Sequence, residues 1–433
     1  MVSLIVIAIL ISGFIIAFAA SPVYGIAFIT AFRTLSILTA VPIGKYEYSG
    51  EGFLTLAVIA VGCIYVLMNA QKLKGVVKWP FVFFILFCGL TFFVAEDAAN
   101  FSKKFARLVG YFLLYLMVVH LSVKPENRKI LSYALILSLL VTNLPAVYIY
   151  FMAPDQYVSQ LHGVEGGLKE IGFMAKNNFG FFSCYMTLFL TYLYSIARSK
   201  PSKTFFLLLF FMQAALLVMS FTRAAWASFI AALPMLIFFS KNRARLVMPV
   251  LAITIIAAAF SSIIYFGAYG EITEKKEYGF SSWHFRTHYA WPASMKAVEE
   301  KPLLGWGLGN NLYALTKAAK LKATSHNDYL LILVETGLIG LSLYLWLLVS
   351  LFRKTIKGIR IAEDEQSRML CVSALAIFVA YLVGSLAEHL LQTPGATGSV
   401  ITILGMAHGT VLAVHQKNSN QSNKEVKSYA QKK

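Results

Sequence analysis

Residues 325–354 read SHNDYLLILVETGLIGLSLYLWLLVSLFRK, and this stretch decides the fold class. Its apolar part, residues 328–352, exceeds the roughly 20 residues that a helix needs to cross a membrane. The polar residues His326, Asn327 and Asp328 stand at one border of this segment. Because an ionisable side chain at such a border favours a functional site, the stretch predicts a transmembrane helix with chemistry at one end.

Apolar segments of this length recur along the whole chain. The sequence is 58% hydrophobic and 13% charged, with a mean hydropathy of +0.68, whereas soluble domains carry about 25% charged residues. We predict an all-α polytopic integral membrane protein with about 12–13 transmembrane helices and a large extracytoplasmic loop. The spans are predicted near residues 3–20, 24–41, 52–70, 80–96, 105–122, 129–152, 178–198, 204–219, 223–239, 245–266, 328–352, 370–391 and 396–414. Residues 1–42 also fit one span, a hairpin or a re-entrant segment.

Basic residues concentrate in alternate loops and in the C-terminal tail, where they account for much of the net charge of +18. This distribution fits the positive-inside rule better than nucleic-acid binding, and it predicts that these loops are cytoplasmic. The predicted organisation is an N-terminal bundle at 1–266 with an outer loop at 153–177, a large outer loop at 267–327, C-terminal helices at 328–415 and a disordered basic tail at 416–433. If the host is a Gram-negative bacterium, the outer loops are periplasmic. The four cysteines lie in apolar segments without CxxC spacing, which indicates neither a disulfide framework nor a zinc site.

The loop at 267–327 is too long for a simple connection, and loops of this length are usually functional. Trp291, Met295 and Val298 recur at helical spacing, which predicts an amphipathic helix at the membrane surface. The stretch at residues 305–310, GWGLGN, predicts a tight glycine-rich turn. We therefore expect this loop to carry part of an active site.

Three basic residues are candidates for catalysis. Arg223 stands at the hinge between two spans, Arg286 lies in the large loop, and His326 opens a span. A guanidinium binds phosphate oxygens in a fixed, bidentate geometry, so each arginine is a candidate anion clamp. Arg223 also fits an interfacial anchor, and Arg286 a solvated loop residue. His326 fits a general base near neutral pH, or a hydrogen-bonding residue at a helix start.

Further polar residues lie at the same membrane border. Asn178 stands at the start of a span, Glu335 is a candidate buried partner of His326, and Glu388-His389 form a second ionisable pair. The sequence contains no P-loop, no HExxH motif and no DxD-type pair of carboxylates. Neither ATP-driven transport nor metal-dependent sugar-nucleotide transfer is therefore supported.

Four local patterns resemble those of the O-antigen ligase/O-antigen polymerase superfamily. Residues 220–226, SFTRAAW, are similar to its S-x-[ST]-R-x-x-W hinge, and residues 286–310 are similar to its R…W…PLLGxGxGN loop. Residues 326–340 fit its ligase pattern H-[NSQ]-x9-G-x-x-[GTY], which is the most specific of the four. Residues 177–179, NNF, resemble an asparagine that precedes a span in many members.

The resemblance implies a GT-C-like fold and an inverting glycosyltransferase that needs no cofactor, neither a metal nor ATP. Its donor would be a glycan on undecaprenyl pyrophosphate, and its acceptor a sugar hydroxyl of lipid A–core or of another lipid-linked glycan. It also implies a multi-pass protein of the bacterial inner membrane with the active site facing the periplasm. Arg223, Arg286 and His326 would be catalytic, and the two arginines would bind substrate together with Asn327 and Asn178.

The sequence leaves three alternatives open. The pattern beginning at His326 favours a ligase over a polymerase only slightly, because polymerases share the same domain. A flippase or another transporter of lipid-linked sugars would require charges in the middle of spans, and few exist beyond Arg33, Arg107 and Glu335. Finally, the histidines at positions 284 and 288 flank the loop arginine, so either is an alternative base.

Overall fold

The computed structural model describes residues 2–431 apart from residues 39, 44–45, 74–75, 77–78, 153–169, 172–173, 221 and 240–281. Within the described residues, eight helices are long and apolar enough to cross a membrane, and four shorter apolar helices accompany them. The prediction of an all-α polytopic membrane protein is therefore confirmed. The span predicted at 245–266, the first part of the loop at 267–327 and most of the loop at 153–177 lie outside the described residues.

The described chain is built almost entirely of helices. The α-helices are α1 (Val2–Ala20), α2 (Pro22–Phe32), α3 (Gly50–Met68), α4 (Ala70–Leu73), α5 (Trp79–Leu90), α6 (Ala98–Leu121), α7 (Pro125–Met152), α8 (Lys176–Ile196), α9 (Lys200–Met219), α10 (Arg223–Phe239), α11 (Ser282–Phe285), α12 (Trp291–Glu300), α13 (Asn311–Ala319), α14 (Asp328–Ile361), α15 (Glu365–Gly384) and α16 (Pro394–Gln431). Two short antiparallel hairpins pair β1 (Ala40–Ile43) with β2 (Tyr46–Ser49) and β3 (Glu170–Ile171) with β4 (Met174–Ala175). Short 3-10 helices cover Arg33–Leu38, Thr91–Val94 and Leu390–Gln392.

The N-terminal segment forms two helices, α1 and α2, that pack against each other, which fits a hairpin or a re-entrant segment and not one continuous span. The second predicted span, near 24–41, corresponds to α2 and the 3-10 helix that continues it to Leu38. Pro42 has no amide hydrogen for a helical hydrogen bond, and it lies instead in β1 opposite Glu47.

The C-terminal tail is helical, so the predicted disorder of residues 416–433 is wrong for the part that the structure describes. Helix α16 continues from its membrane span through Gln431. No glycine or proline follows Gly409, so the helix extends without a breaker once it has been nucleated. Lys417 Nζ also pairs with Glu363 Oε2 at 2.7 Å, which ties the tail to the end of α14.

Helix α8 lies at the centre of the bundle. Residues 179–193 are all buried, and α8 packs against α9, α15 and α16. One hydrophobic core contains residues from Phe14 to Ala407, so spans from both halves of the chain pack together. The predicted division at residues 266 and 328 stays a prediction about the order of segments.

The helix predicted in the large loop is present as α12, and one of its faces is buried within the protein. Ala293, Ala297 and Val298 are buried, and α12 packs on α13 and α14. Met295 is 45% exposed and lies outside this buried face. Small alanine side chains let α12 approach its neighbours closely, which favours them over methionine at this contact.

Gly337 interrupts α14. Its φ of 65° lies in the left-handed region, and a Cβ at this position would collide with the carbonyl oxygen of Leu303. The Trp306 amide donates a hydrogen bond of 2.9 Å to the Val334 carbonyl just before the break. The glycine-rich turn predicted at 305–310 is thus confirmed, and it packs into the interruption of the helix.

Candidate active site

The Glu388 carboxylate joins three polar side chains at one end of the bundle, which we call the site end. Glu388 Oε2 lies 3.0 Å from Arg286 Nη2 and accepts a hydrogen bond of 2.9 Å from Asn177 Nδ2. Glu388 Oε1 lies 3.2 Å from His326 Nδ1. Glu388 is only 9% exposed. These four residues, the Glu388 cluster, bring together four segments that are far apart in the sequence.

A π-helical turn, Arg286–Ala290, presents Arg286 to this carboxylate. Single π turns inside α-helices occur often at functional sites. Arg286 is buried, whereas His288 on the same turn is exposed. The ring of His288 stacks on that of His284, with centroids 3.9 Å apart. The structure therefore places Arg286 beside Glu388. The two alternative bases, His284 and His288, stack on each other.

His326 has a backbone conformation that is uncommon for a residue with a side chain. Its φ of 48° lies in the left-handed region, and such conformations persist only where the surroundings impose them. Asn327 caps α14, because its Oδ1 accepts hydrogen bonds of 2.9 Å from the Tyr329 amide and 3.1 Å from the Leu330 amide. Asn327 Nδ2 donates to the Leu386 carbonyl at 3.0 Å. The predicted substrate-binding residue Asn327 is thus occupied in holding His326 in place.

Asp328 fastens the start of α14 to the connection that carries Glu388. Asp328 is fully buried, and its Oδ2 accepts hydrogen bonds of 2.9 Å from the Ser385 hydroxyl and 3.0 Å from the Leu391 amide. The connection is therefore fixed on both sides of Glu388. No pattern in the sequence indicates this arrangement.

The charge state of Glu388 determines which ring nitrogen of His326 carries a proton. Burial acts to raise the pKa of Glu388, but the hydrogen bond from His326 and the charge of Arg286 outweigh it, and the pKa lies below its ordinary value. An ionised carboxylate accepts hydrogen bonds and donates none, so His326 Nδ1 is the donor in their contact. In the neutral ring, Nε2 is then left as the acceptor.

The ring of His389 stacks on the ring of His326. The His326 and His389 rings are nearly parallel, with an interplanar angle of 6° and centroids 5.4 Å apart. Burial and, after it, the nearby His326 lower the pKa of His389 to about 3. His389 is therefore neutral at pH 7 and provides an uncharged surface for the His326 ring.

Arg223 begins α10 and is exposed at the edge of this region. The hydroxyl of its neighbour Thr222 donates to the Lys176 carbonyl at 3.5 Å, and Arg223 also acts electrostatically on the Lys176 side chain. Lys176 directly precedes Asn177 of the Glu388 cluster. Among the described residues, no hydrogen bond or ion pair joins Arg223 to the cluster itself. The structure thus brings Arg286 and His326 together and places Arg223 beside them.

Residues 206–345 match the family model described as O-antigen ligase. This match covers about a third of the chain and supports its resemblance to the O-antigen ligase and polymerase superfamily. The matched residues include Arg223, Arg286 and His326. A search of curated proteins finds no match. The match supports a glycosyltransferase-like activity of the ligase or polymerase type, acting on lipid-linked glycans in a membrane.

The asparagine that reaches the Glu388 cluster is not the predicted one. Asn177 contacts Glu388, whereas the predicted residue, Asn178, lies next to it and is partly buried. Two adjacent asparagines at a helix start differ by about 100° in direction, and the sequence alone does not fix which one points inward.

Glu335 is not the partner of His326 that the sequence suggested. Its Oε1 lies 2.8 Å from Lys104 Nζ and accepts a hydrogen bond of 3.2 Å from the Asn311 amide. Lys104 was not among the predicted residues, and no sequence signal marks a lysine of α6 as its partner. This ion pair holds the glycine-rich turn region, α6 and α14 together at the site end.

The two remaining charges that favoured a transporter are also paired. Arg33 Nη2 lies 3.3 Å from Glu51 Oε1, and Arg107 Nη2 lies 3.6 Å from Glu51 Oε2. Arg107 also donates a hydrogen bond of 2.9 Å to the Gln392 carbonyl, which lies in the same connection as Glu388. These charged residues therefore hold neighbouring segments of the bundle together.

Proposed function

We propose that the protein transfers a polysaccharide from undecaprenyl pyrophosphate to a sugar hydroxyl of lipid A–core, as an O-antigen ligase at the periplasmic face of the inner membrane. The observation that carries this proposal is the contact between His326 Nδ1 and Glu388 Oε1 at 3.2 Å. It leaves His326 Nε2 as a proton acceptor at the membrane border, where an acceptor hydroxyl is expected.

In this proposal His326 is the general base. The acceptor hydroxyl gives its proton to Nε2 while its oxygen attacks the anomeric carbon of the donor. The bond between that carbon and the pyrophosphate oxygen breaks, and undecaprenyl pyrophosphate leaves with the bonding electrons. Attack opposite the leaving group inverts the anomeric centre. A positioned base contributes roughly 10²–10⁴-fold to such a step.

The departing pyrophosphate requires positive charge, and Arg223 is best placed to supply it. The charge of Arg286 is largely compensated by Glu388 at 3.0 Å. Among the described residues, no carboxylate forms an ion pair with Arg223 or Lys176. Their combined charge beside the cluster supports a pyrophosphate site, with Arg286 adding its remaining N–H donors. The donor, the inversion and the independence of metal and ATP all belong to the proposal.

Complementation of a deletion strain tests this function. Wild type, Arg223→Ala, Arg286→Ala and His326→Ala are expressed at matched membrane levels, and surface polysaccharide is separated on a gel. We expect the deletion to show core without long chains and to accumulate long lipid-linked glycan, and we expect the three variants to leave the ladder unrestored. His288→Ala is the matched control, since this exposed loop histidine should restore the ladder.

The remaining outcomes separate the alternatives. Core carrying a single repeat unit in the deletion would identify a polymerase that joins lipid-linked repeat units. Restoration by Arg223→Ala, Arg286→Ala and His326→Ala together would refute the proposed site. Accumulation of lipid-linked units on the cytoplasmic side would indicate a flippase.

A further inference from the structure

A second feature of the bundle lies at the opposite end of α14 from the Glu388 cluster. Helices α14 and α16 enclose a groove of about 420 Å³ there, which we call the basic groove. Arg353, Lys354 and Lys357 of α14 and His415 of α16 line its outer part. The proposed transfer reaction uses none of these residues.

The inner part of the basic groove is apolar. Trp346 and Val349 lie one to two helical turns before the basic residues, and each is 47% exposed. Leu412 faces them from α16. The Trp346 ring stacks on Phe83 of α5, with centroids 6.0 Å apart and an interplanar angle of 17°. Along the axis of α14 the groove therefore changes from apolar to cationic.

Close helix packing fixes the floor of the groove. A Cβ at Gly358 would lie 2.8 Å from Cys371 Sγ and 3.0 Å from Val411 Cγ2, so glycine allows α14, α15 and α16 to meet at this point. The groove is thus formed by tightly packed helices, and an occupant would find most of its walls already in position, which lowers the cost of binding.

We propose that the basic groove binds one anionic phospholipid, with its phosphate between Arg353 and Lys357 and an acyl chain along Trp346 and Val349. Residues four apart lie on the same face of a helix, so both cations address the same phosphate. A guanidinium binds phosphate oxygens bidentately, and a lysine adds a point charge. The positive-inside distribution assigns this end to the cytoplasm, whose leaflet carries anionic lipid.

Quenching of tryptophan fluorescence by brominated lipid tests the proposal. The full chain is placed in nanodiscs of phosphatidylcholine containing increasing fractions of brominated phosphatidylglycerol. The signal of Trp346 is the difference between wild type and Trp346→Phe. We expect saturable quenching of Trp346 at low fractions of the anionic lipid, and far weaker quenching by brominated phosphatidylcholine at equal fractions.

Charge variants separate a bound lipid from general attraction to the surface. Arg353→Gln and Lys357→Gln should each raise the lipid fraction at half-quenching about five-fold. Arg360→Gln removes one charge from an exposed position of the same helix outside the groove, and it should leave that fraction unchanged. Arg353→Lys keeps the positive charge and should retain part of the binding of the anionic lipid. Retained binding would show that a substitution at this position leaves the protein folded.

Two results would overturn the proposal. Equal quenching by the zwitterionic and anionic brominated lipids would show that Trp346 meets only bulk lipid. An equal effect of Arg360→Gln and Arg353→Gln would show that the basic end attracts anionic lipid without a defined site.

Discussion

Asp328 and Ser385 are joined by a reciprocal pair of hydrogen bonds. The Asp328 amide donates to the Ser385 carbonyl at 2.8 Å, and the Ser385 hydroxyl donates to Asp328 Oδ2 at 2.9 Å. Asp328 follows His326 by two residues, and Ser385 precedes Glu388 by three. The geometry of the proposed base and its carboxylate is therefore set by residues that are themselves buried and do not face the acceptor.

Replacing Asp328 tests this fastening. Asp328→Ala leaves the Ser385 hydroxyl and the Leu391 amide buried without their acceptor, so we expect a loss of about 2–4 kcal/mol of stability. Asp328→Asn retains an acceptor oxygen and should cost far less. Thermal unfolding in detergent measures both, and Ser385→Ala, which removes one of the bonds, should fall between them. A loss as large for Asp328→Asn as for Asp328→Ala would show that charge, rather than hydrogen bonding, matters here.

Glu388→Gln tests the proposed action of the carboxylate through His326. The amide keeps the shape of the side chain but no longer requires the proton on His326 Nδ1, so we expect the transfer rate to fall about 10²-fold. KM for the lipid-linked donor should change little, and the pH profile of kcat should shift. The assay uses purified membranes with lipid-linked donor, and Glu363→Gln, an exposed carboxylate at the other end, is the control. An unchanged pH profile would contradict this role.

The stability of the protein should depend on pH through His389. Its pKa is about 3 in the folded protein and near 6.5 as its ordinary value. The unfolded chain therefore binds one more proton than the folded protein between these values, and this contribution to stability is full above pH 6.5 and declines as the pH falls toward 3. Thermal unfolding between pH 7 and pH 4 should show a steeper loss for wild type than for His389→Gln. Parallel curves would mean that the pKa of His389 is not lowered in the folded protein.

Gly337→Ala tests the break in α14. The φ of 65° disfavours alanine, and the added methyl group would press on the Leu303 carbonyl, so we expect destabilisation of about 1–3 kcal/mol and reduced transfer. Gly89→Ala is the matched control, because a Cβ there meets only the Phe105 ring at 3.4 Å, an ordinary contact. It should be neutral or slightly stabilising within its helix. Equal unfolding temperatures for the two variants would contradict the requirement for glycine at 337.

The spans were predictable because each depends on a local run of apolar residues, which composition reveals without knowledge of the neighbours. The C-terminal tail was predicted less well, since composition does not say where a helix stops. The absence of a breaker after Gly409 lets α16 continue through Gln431.

The site was predictable in its residue types but not in its connections. Arg286 and His326 carry recognisable patterns, and the structure brings them together. Glu388 is one of several ionisable residues in the sequence, and nothing local distinguishes it. Only the packing of the helices brings one of its carboxylate oxygens to Arg286 and the other to His326. The choice between Asn177 and Asn178 likewise depends on how α8 is rotated in the bundle, which local sequence does not encode.

The insertion of the glycine-rich turn into the break of α14 has a consequence for biosynthesis. The loop is made before the helix that shapes it, so it has no template when it leaves the ribosome. Its final form, and with it the position of Arg286, must await the insertion of α14 and α15. A chain that stops before Glu388 would carry both arginines and the histidine of the predicted site and still lack the carboxylate that joins Arg286 to His326.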